Sequence, residues 1–361
     1  MKHIVCFHLY NDYSGSPKVL KTVLDELLHK GYQVDLITSR GGVLDELSDR
    51  DNIKFYYYSY KPIHPVYIGI FSFIWIQIWL FCKALSYRKQ NVIFYVNTIL
   101  PVGGACAGKL MGKKIVYHYH ENAFAKSAFY RYLCRRMEHW ADYIICVSKY
   151  QRSFLSRQTG VSVIPNALPM NFIEMLRPSP EAAFERRRVL MLASLAPYKS
   201  PIEFIELAKR LPNIEFVLVI NDVQTNVEAF LIKNNIVVGD NIKIYSRQSG
   251  VAQFYNSSTV VLNLSNKDYC IETFGMTALE AMAAGLPVIV PTEGGIAELV
   301  EDGVNGYKID VQQFDKIVVT LEHMLSDKSL YIRLATGALQ TAGMYDVKAL
   351  GENIDAIINE L

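Results

Sequence analysis

The chain has 361 residues, about half of them apolar and a fifth charged, which suits a folded protein with a large core and sets an expectation of about two domains. Its formal charge of +2 gives no electrostatic footprint for nucleic acid, and the one basic triplet, Arg186 to Arg188, reads as a solvated linker. Six cysteines without a CxxC pair, mostly inside apolar runs, point to reduced, buried thiols and a cytoplasmic setting.

The first element, HIVCFHLY, is followed at once by turn residues and a helical pattern from Lys18 to Lys30, so it reads as a first strand and not as a signal peptide. After it comes NDYSGSPKVL, where a dinucleotide-binding fold would carry GxGxxG. Only Gly15 stands there, and no Walker A sequence occurs, which argues against hydride transfer and P-loop hydrolysis. Ser14, Gly15 and Ser16 could offer amides to an anion or form an ordinary turn. The strands YQVDLITS, IKFYYY, NVIFYVN, KIVYHYH, DYIICVS and VSVIPN then alternate with helices, among them Ala125 to Ala141.

One of these connections, IGIFSFIWIQIWLFCKAL at residues 68–85, is apolar nearly all round. It is a little short for a membrane span, is interrupted by Gln77 and Lys83, and joins two strands of one sheet, so a crossing is rejected. A helix that covers a sheet needs only one apolar face. The stripe Phe71, Trp75 and Trp79 is therefore expected to meet a peripheral membrane surface, with Lys83, Arg88 and Lys89 near anionic headgroups, or to be buried by a neighbouring element or by a second copy in a homodimer.

A proline-rich and charged loop, ALPMNFIEMLRPSPEAAFERR, precedes a second series of strands: RVLMLAS, IEFVLVIN, IKIYS, TVVLNLS and PVIVP. Two Rossmann-like, doubly wound α/β domains are expected, over residues 1–168 and 169–343, with residues 344–361 forming a C-terminal helix that packs back toward the first. Ligands of such sheets bind at the carboxyl ends of the strands.

Between the strands TVVLNLS and PVIVP lies ETFGMTALEAMAAGL, a loop leading into a helix that ends at Gly285 and Pro287. The amides of Phe274, Gly275 and Met276 would be helix N-terminal donors, a seat for phosphate. Glu272 stands beside that seat and Glu280 about two turns along. Taken alone, the two could equally be a cap and a solvated side chain.

Their surroundings, ETFGMTALEAMAAGLPVIVPTEGGIAELVEDGVNGY, closely resemble the E-x7-E signature of the retaining glycosyltransferases of family 4, nucleotide-sugar enzymes with the GT-B fold. Weaker similarities, VIPNALP, VSKYQRSFL, YHYHEN and LASLAPYKS, extend it over both domains. The resemblance implies two domains facing across a cleft, the first on the acceptor side and the second on the donor side. It implies that Glu272 contacts the donor sugar, that Glu280 binds the ribose, and that Phe274 to Met276 hold the diphosphate or sugar. His120, which on its own would read as a structural histidine, takes the place of an active-site histidine. Lys199 matches the lysine that neutralises the leaving diphosphate. Ser194 departs from the pattern, since many members carry arginine there and a hydroxyl does not replace a bidentate guanidinium.

The expected reaction is transfer of a sugar from a nucleoside diphosphate to a glycan or lipid-linked acceptor, with retained configuration, in cell-surface glycan or glycolipid synthesis. No cofactor and no metal are implied; the DRD at Asp49 to Asp51 reads as a polar loop. The expected setting is the cytoplasm, at the inner face of the membrane. Two alternatives remain: another sugar-nucleotide enzyme of two Rossmann-like domains, such as an epimerase or phosphorylase, or a non-catalytic homologue that binds nucleotide sugar or scaffolds an assembly.

Overall fold

A computed structural model describes residues 2–60 and 66–361, without the side chains of residues 66–68, 125 and 126. Residue 68, the first of the apolar run, therefore has its side chain outside the described residues. The chain divides into two units, residues 1–167 with 347–361, and residues 168–346.

In the first unit the β-branched and aromatic runs form β1 (His3–Phe7), β2 (Gln33–Ser39), β3 (Ile53–Tyr58), β4 (Ile93–Asn97), β5 (Lys114–Tyr119), β6 (Tyr143–Cys146) and β7 (Val161–Val163). Among the described residues they pair in parallel in the order β3-β2-β1-β4-β5-β6-β7. The order reverses between β1 and β4, the switch point at which doubly wound sheets place ligands. Helices α1 (Gly15–His29), α2 (Val66–Leu85), α3 (Val102–Leu110), α4 (Ala123–Lys126) and α5 (Ala128–Trp140) connect the strands. The helix expected from Ala125 is broken at Ser127, whose side chain accepts from the Tyr130 amide and caps α5. Helix α2 lies close on α3 because Gly103 has no Cβ; one there would strike the Gln77 carbonyl oxygen of α2. Gln77 Oε1 in turn accepts from the Gly103 amide at 2.8 Å.

The second unit repeats the scheme with β8 (Arg188–Ala193), β9 (Glu215–Ile220), β10 (Ile242–Tyr245), β11 (Val260–Leu262), β12 (Val288–Val290) and β13 (Gly306–Lys308), parallel in the order β10-β9-β8-β11-β12-β13 among the described residues. Strand β13 was not expected, since three residues, one of them glycine, give no periodic signal. The stretch expected as a loop at 167–187 contains two short helices, Met170–Met175 and Pro180–Arg186. The second begins where Pro180, with its fixed φ, suits a first helical position. Both units are thus α/β, each a parallel sheet whose central strands are buried on both faces.

The last helix, Val347–Glu360, belongs to the first unit. It lies on α1, where Glu26 meets Gly351 closely enough to leave no room for a Cβ. Asp355 accepts from the Tyr32 hydroxyl at 2.5 Å, and the Lys2 ammonium donates to the Ile358 carbonyl at 2.6 Å.

Candidate active site

In the second unit the carboxyl ends of β8 and β11 lead into the two loops that carry the candidate charges. Lys199 closes a short 3-10 turn, Pro197–Lys199, and the next residue, Ser200, is buried in a left-handed conformation at φ 55°. Asn266 donates its amide to the Tyr198 carbonyl at 2.7 Å and so ties the β11 loop to this turn. Across that tie Lys199 forms an ion pair with Glu272. Glu272 also accepts from the Ser265 hydroxyl at 2.8 Å. Burial by itself would raise the Glu272 carboxyl, but the Lys199 ammonium and the Ser265 and Asn263 side chains more than offset it and hold the group below the usual carboxylate range. Burial would likewise lower Lys199, and the Glu272 charge more than offsets this and raises it. Both groups are charged at neutral pH.

Glu272 is fixed from its backbone side as well. The Gly295 amide donates to the Glu272 carbonyl at 2.8 Å, and Gly294 sits at φ 107°, where a Cβ would lie 2.5 Å from that same oxygen. Only glycine serves both the conformation and the approach. The helix Met276–Ala283 follows, with Gly275 as its left-handed N-cap. The amides of Phe274, Gly275 and Met276 donate to no group among the described residues, so the positive end of the helix remains available to an anion. The Phe274 side chain is buried, edge-on to Tyr345 at 5.8 Å, and anchors the loop from below.

Glu280 lies along the same helix and accepts from the hydroxyl of Tyr255, a fully buried residue of the second unit. Ser194 follows β8 directly, and the Ala196 amide reaches its hydroxyl at 3.5 Å. Lys199 and Glu272 are thus brought together, whereas Glu280 is held separately by Tyr255.

In the first unit His120 stands just past the carboxyl end of β5. Its Nε2 donates to Asn97 Oδ1 at 3.0 Å, and the Asn97 amide donates in turn to His8 Nδ1 at 3.0 Å. The His118 ring stacks obliquely against His120, centroids 4.1 Å apart, and its Nδ1 lies 2.8 Å from the Tyr95 hydroxyl. Burial, aided by the neighbouring His118 and His8, keeps His120 well below the usual imidazole range, so it is neutral at pH 7. Thr98, at φ 72°, is a β-branched residue in a left-handed conformation beside this cluster. It is held there by the Thr98 amide on the His118 carbonyl at 2.9 Å and the Ile99 amide on the buried Glu121 at 3.1 Å. Gly15 opens α1, and the adjacent Ser14 gives its amide and hydroxyl to Asp12 at 2.9 and 2.6 Å. A carboxylate thus occupies the turn where a loop amide was available to an anion.

The stripe expected on α2 needs correction. Phe71 and Trp75 are each 71% exposed, but Trp79 is half-buried against Tyr58, centroids 5.3 Å apart. At about 100° per residue a spacing of four drifts by about 40°, so by the second step Trp79 has turned inward. The exposed face runs through Ile70, Phe71, Ile74, Trp75 and Ile78. Lys83, expected near headgroups, places its ammonium 3.4 Å over the Tyr56 ring instead. Among the described residues no helix is long and apolar enough to cross a membrane.

Asn97, His8, Tyr255 and Ser265 were missed from sequence. Ser265, Asn97 and His8 had one local signal, their place at the carboxyl end of a buried strand; Tyr255 had none.

Residues 13–172 match the family model described as Glycosyltransferase Family 4, and residues 173–341 that described as Glycosyl transferases group 1. Over 107 residues, 30% of this chain, the sequence is 31% identical to the N-acetyl-alpha-D-glucosaminyl L-malate synthase of Bacillus anthracis. Over 107 residues it is 32% identical to the D-inositol 3-phosphate glycosyltransferase of Frankia alni. The matched stretch spans 27% and 25% of the length of these two relatives. Among solved structures, the Anabaena protein HepE in complex with UDP and glucose aligns at a TM-score of 0.80 and 21% identity, covering 99% of both chains. That likeness speaks to the fold.

Proposed function

The chain belongs to the family 4 type of glycosyltransferases, and we propose that it moves a sugar from a nucleoside-diphosphate sugar to a glycan or lipid-linked hydroxyl, with retention of anomeric configuration. The observation that carries this reading is the Lys199–Glu272 ion pair beside the unspent amides of Phe274 to Met276. Loss of a nucleoside diphosphate leaves an oxocarbenium-like sugar and a polyanion. Lys199 and the helix N-terminus stabilise the polyanion as it departs, and the ionised Glu272 stabilises positive charge on the sugar. The acceptor oxygen attacks the face from which the diphosphate leaves, and a phosphate oxygen takes its proton. The residues at 274–276 serve binding through their backbone, and Glu280, steadied by Tyr255, takes the ribose hydroxyls. His120 serves the acceptor side as a neutral imidazole, oriented by Asn97. None of these steps uses a metal ion.

The protein works in the cytoplasm, at the inner face of the membrane, in the synthesis of a cell-surface glycan or glycolipid. UDP-glucose is the first donor to test, because a second HepE structure holds it. Purified protein incubated with a panel of nucleotide sugars is expected to hydrolyse one of them slowly, to do so in EDTA, and to release a sugar of retained configuration by NMR. A strict demand for added manganese, or an inverted product, would overturn the mechanism. Binding without any turnover would leave a nucleotide-sugar-binding scaffold.

A further inference from the structure

We propose that the first unit docks on an anionic phospholipid bilayer through the exposed face of α2 together with the basic face of α5, and draws its acceptor from that surface. The inference rests on the lipid-linked form of the acceptor proposed above and deepens it. The apolar part is a continuous stripe, Ile70, Phe71, Ile74, Trp75 and Ile78, each exposed by half or more of its surface except Ile74 at 49%. Leu85, also exposed, extends it to about 22 Å along the helix. Scattered exposed apolar residues need no explanation, but a contiguous band of this size marks an interaction surface.

What covers it is decided by charge. Residues 52–138 hold twelve lysines and arginines and two acidic residues, Glu121, which is buried, and Glu138, which pairs with Arg135 on α5. The whole chain has 37 basic and 35 acidic residues, so the remainder carries an acidic excess. The near-neutral total conceals a basic segment of the sequence that includes this band. Helix α5 adjoins it: Phe129 meets Phe73 of α2 edge-on at 5.9 Å. On α5 Tyr132, Arg131, Arg135 and Arg136 are exposed, and the Arg136 guanidinium lies 5.2 Å over the Tyr132 ring. Arg88 and Lys89 are exposed just beyond the C-terminal end of α2. Aromatic rings beside arginines suit the interfacial depth of a bilayer, where rings sit at the headgroups and cations meet lipid phosphates. A second copy fits poorly. A two-fold contact across this band would set Arg88, Lys89, Arg131 and Arg136 against their copies, while the one acid of α5, Glu138, is already paired with Arg135.

The test is flotation of the full chain with vesicles of phosphatidylcholine alone and of phosphatidylcholine mixed with phosphatidylglycerol. The protein is expected to float with the mixed vesicles at low salt and to be released by high salt or by omission of phosphatidylglycerol. Arg131→Ser and Arg136→Ser should each lower the partition coefficient about fivefold. Phe71→Glu with Trp75→Glu should abolish flotation with donor hydrolysis unchanged. Trp75→Phe, which keeps the apolar face, should still float but lose most of the blue shift in tryptophan emission that wild type shows on vesicles. Wild type that stays out of the mixed vesicles at low salt would overturn the proposal. So would a stable dimer that the double Glu variant splits, since the band would then be a subunit contact. Donor hydrolysis is read separately: flotation without hydrolysis refutes the transferase and leaves the docking surface, and hydrolysis without flotation does the reverse.

Discussion

Two carboxylates eight residues apart have different neighbours, and their substitution should separate binding from chemistry. Glu272 is paired with Lys199 and bonded to Ser265, while Glu280 is bonded to Tyr255. Glu272→Gln keeps the size and the Ser265 bond but removes the charge assigned to the sugar. It is expected to lower transfer by orders of magnitude with nucleotide affinity nearly unchanged in calorimetry. Glu280→Ala should weaken nucleotide binding, and Tyr255→Phe should do so more mildly by removing the Tyr255 hydroxyl bond to the carboxylate. The reverse pattern would exchange the two roles. Lys199→Ala should reduce kcat by about 2 to 4 kcal/mol of transition-state stabilisation, as for other preorganised electrostatic contacts; an unaltered kcat would remove it from the reaction. Glu272 and Glu280 stand out in the sequence because the glycines and helix around them form one local pattern, whereas Lys199 is singled out only through the resemblance carried by LASLAPYKS. Tyr255 was not, because its partner lies 25 positions away and a tyrosine on a short helix reads as core. Asn97 and His8, 89 positions apart, are joined only by the sheet.

At the level of single elements, the carboxyl edge of β1, β4 and β5 gathers three imidazoles, of which His8 and His118 are buried and His120 is partly so. Burial lowers His118 to about 3. It lowers His8 to about 4, outweighing the Tyr10 and Asn97 backbone and the Asp12 charge, and it also lowers His120. In the unfolded chain these rings protonate near their ordinary 6.5, so between that pH and about 4 the unfolded state binds more protons than the folded one. Stability is therefore full above pH 6.5 and falls as the pH drops, by about 1.4 kcal/mol per pH unit for each such ring. Urea midpoints of the first unit at pH 7, 6 and 5 should show that fall, and His118→Asn, which can still accept from the Tyr95 hydroxyl, should make it shallower. An unchanged slope would mean that the folded protein already accommodates a charged ring at 118. The alternation of strand and helix was readable because each has its own period, but periodicity carries no information on which elements lie side by side. Helix α2 shows the consequence. Its apolar content was plain, yet the face it exposes depended on α3, whose Gly103 admits the Gln77 backbone and so sets the rotation.

On the scale of the whole molecule, the chain crosses from its first unit to its second near residue 168 and returns at residue 347. The returning helix, Val347–Glu360, buries Val347, Leu350, Ile354, Ile357 and Ile358, and it lies on α1. Its polar ties reach residues at the start of the chain, from Asp355 to Tyr32 and Lys30 and from the Ile358 carbonyl to Lys2. Asp355, held by the Tyr32 hydroxyl and Lys30, is kept below the usual carboxylate range. The first unit thus draws on residues from both sides of the second in sequence, whereas the second unit, residues 168–346, is continuous. Removing residues 347–361 should therefore act on one unit only. Each buried aliphatic side chain of this helix is worth about 1.5 to 3 kcal/mol, and losing five of them takes away as much as a domain's usual margin of stability. The shortened chain is expected to unfold in two steps, the first at much lower urea, with α1 and β2 losing protection from hydrogen exchange. Its second unit should bind the nucleotide with near-normal affinity in calorimetry. A single transition at the wild-type midpoint would show that the helix contributes nothing to the first unit. Loss of nucleotide binding together with the first step would show that the donor site depends on more than residues 168–346.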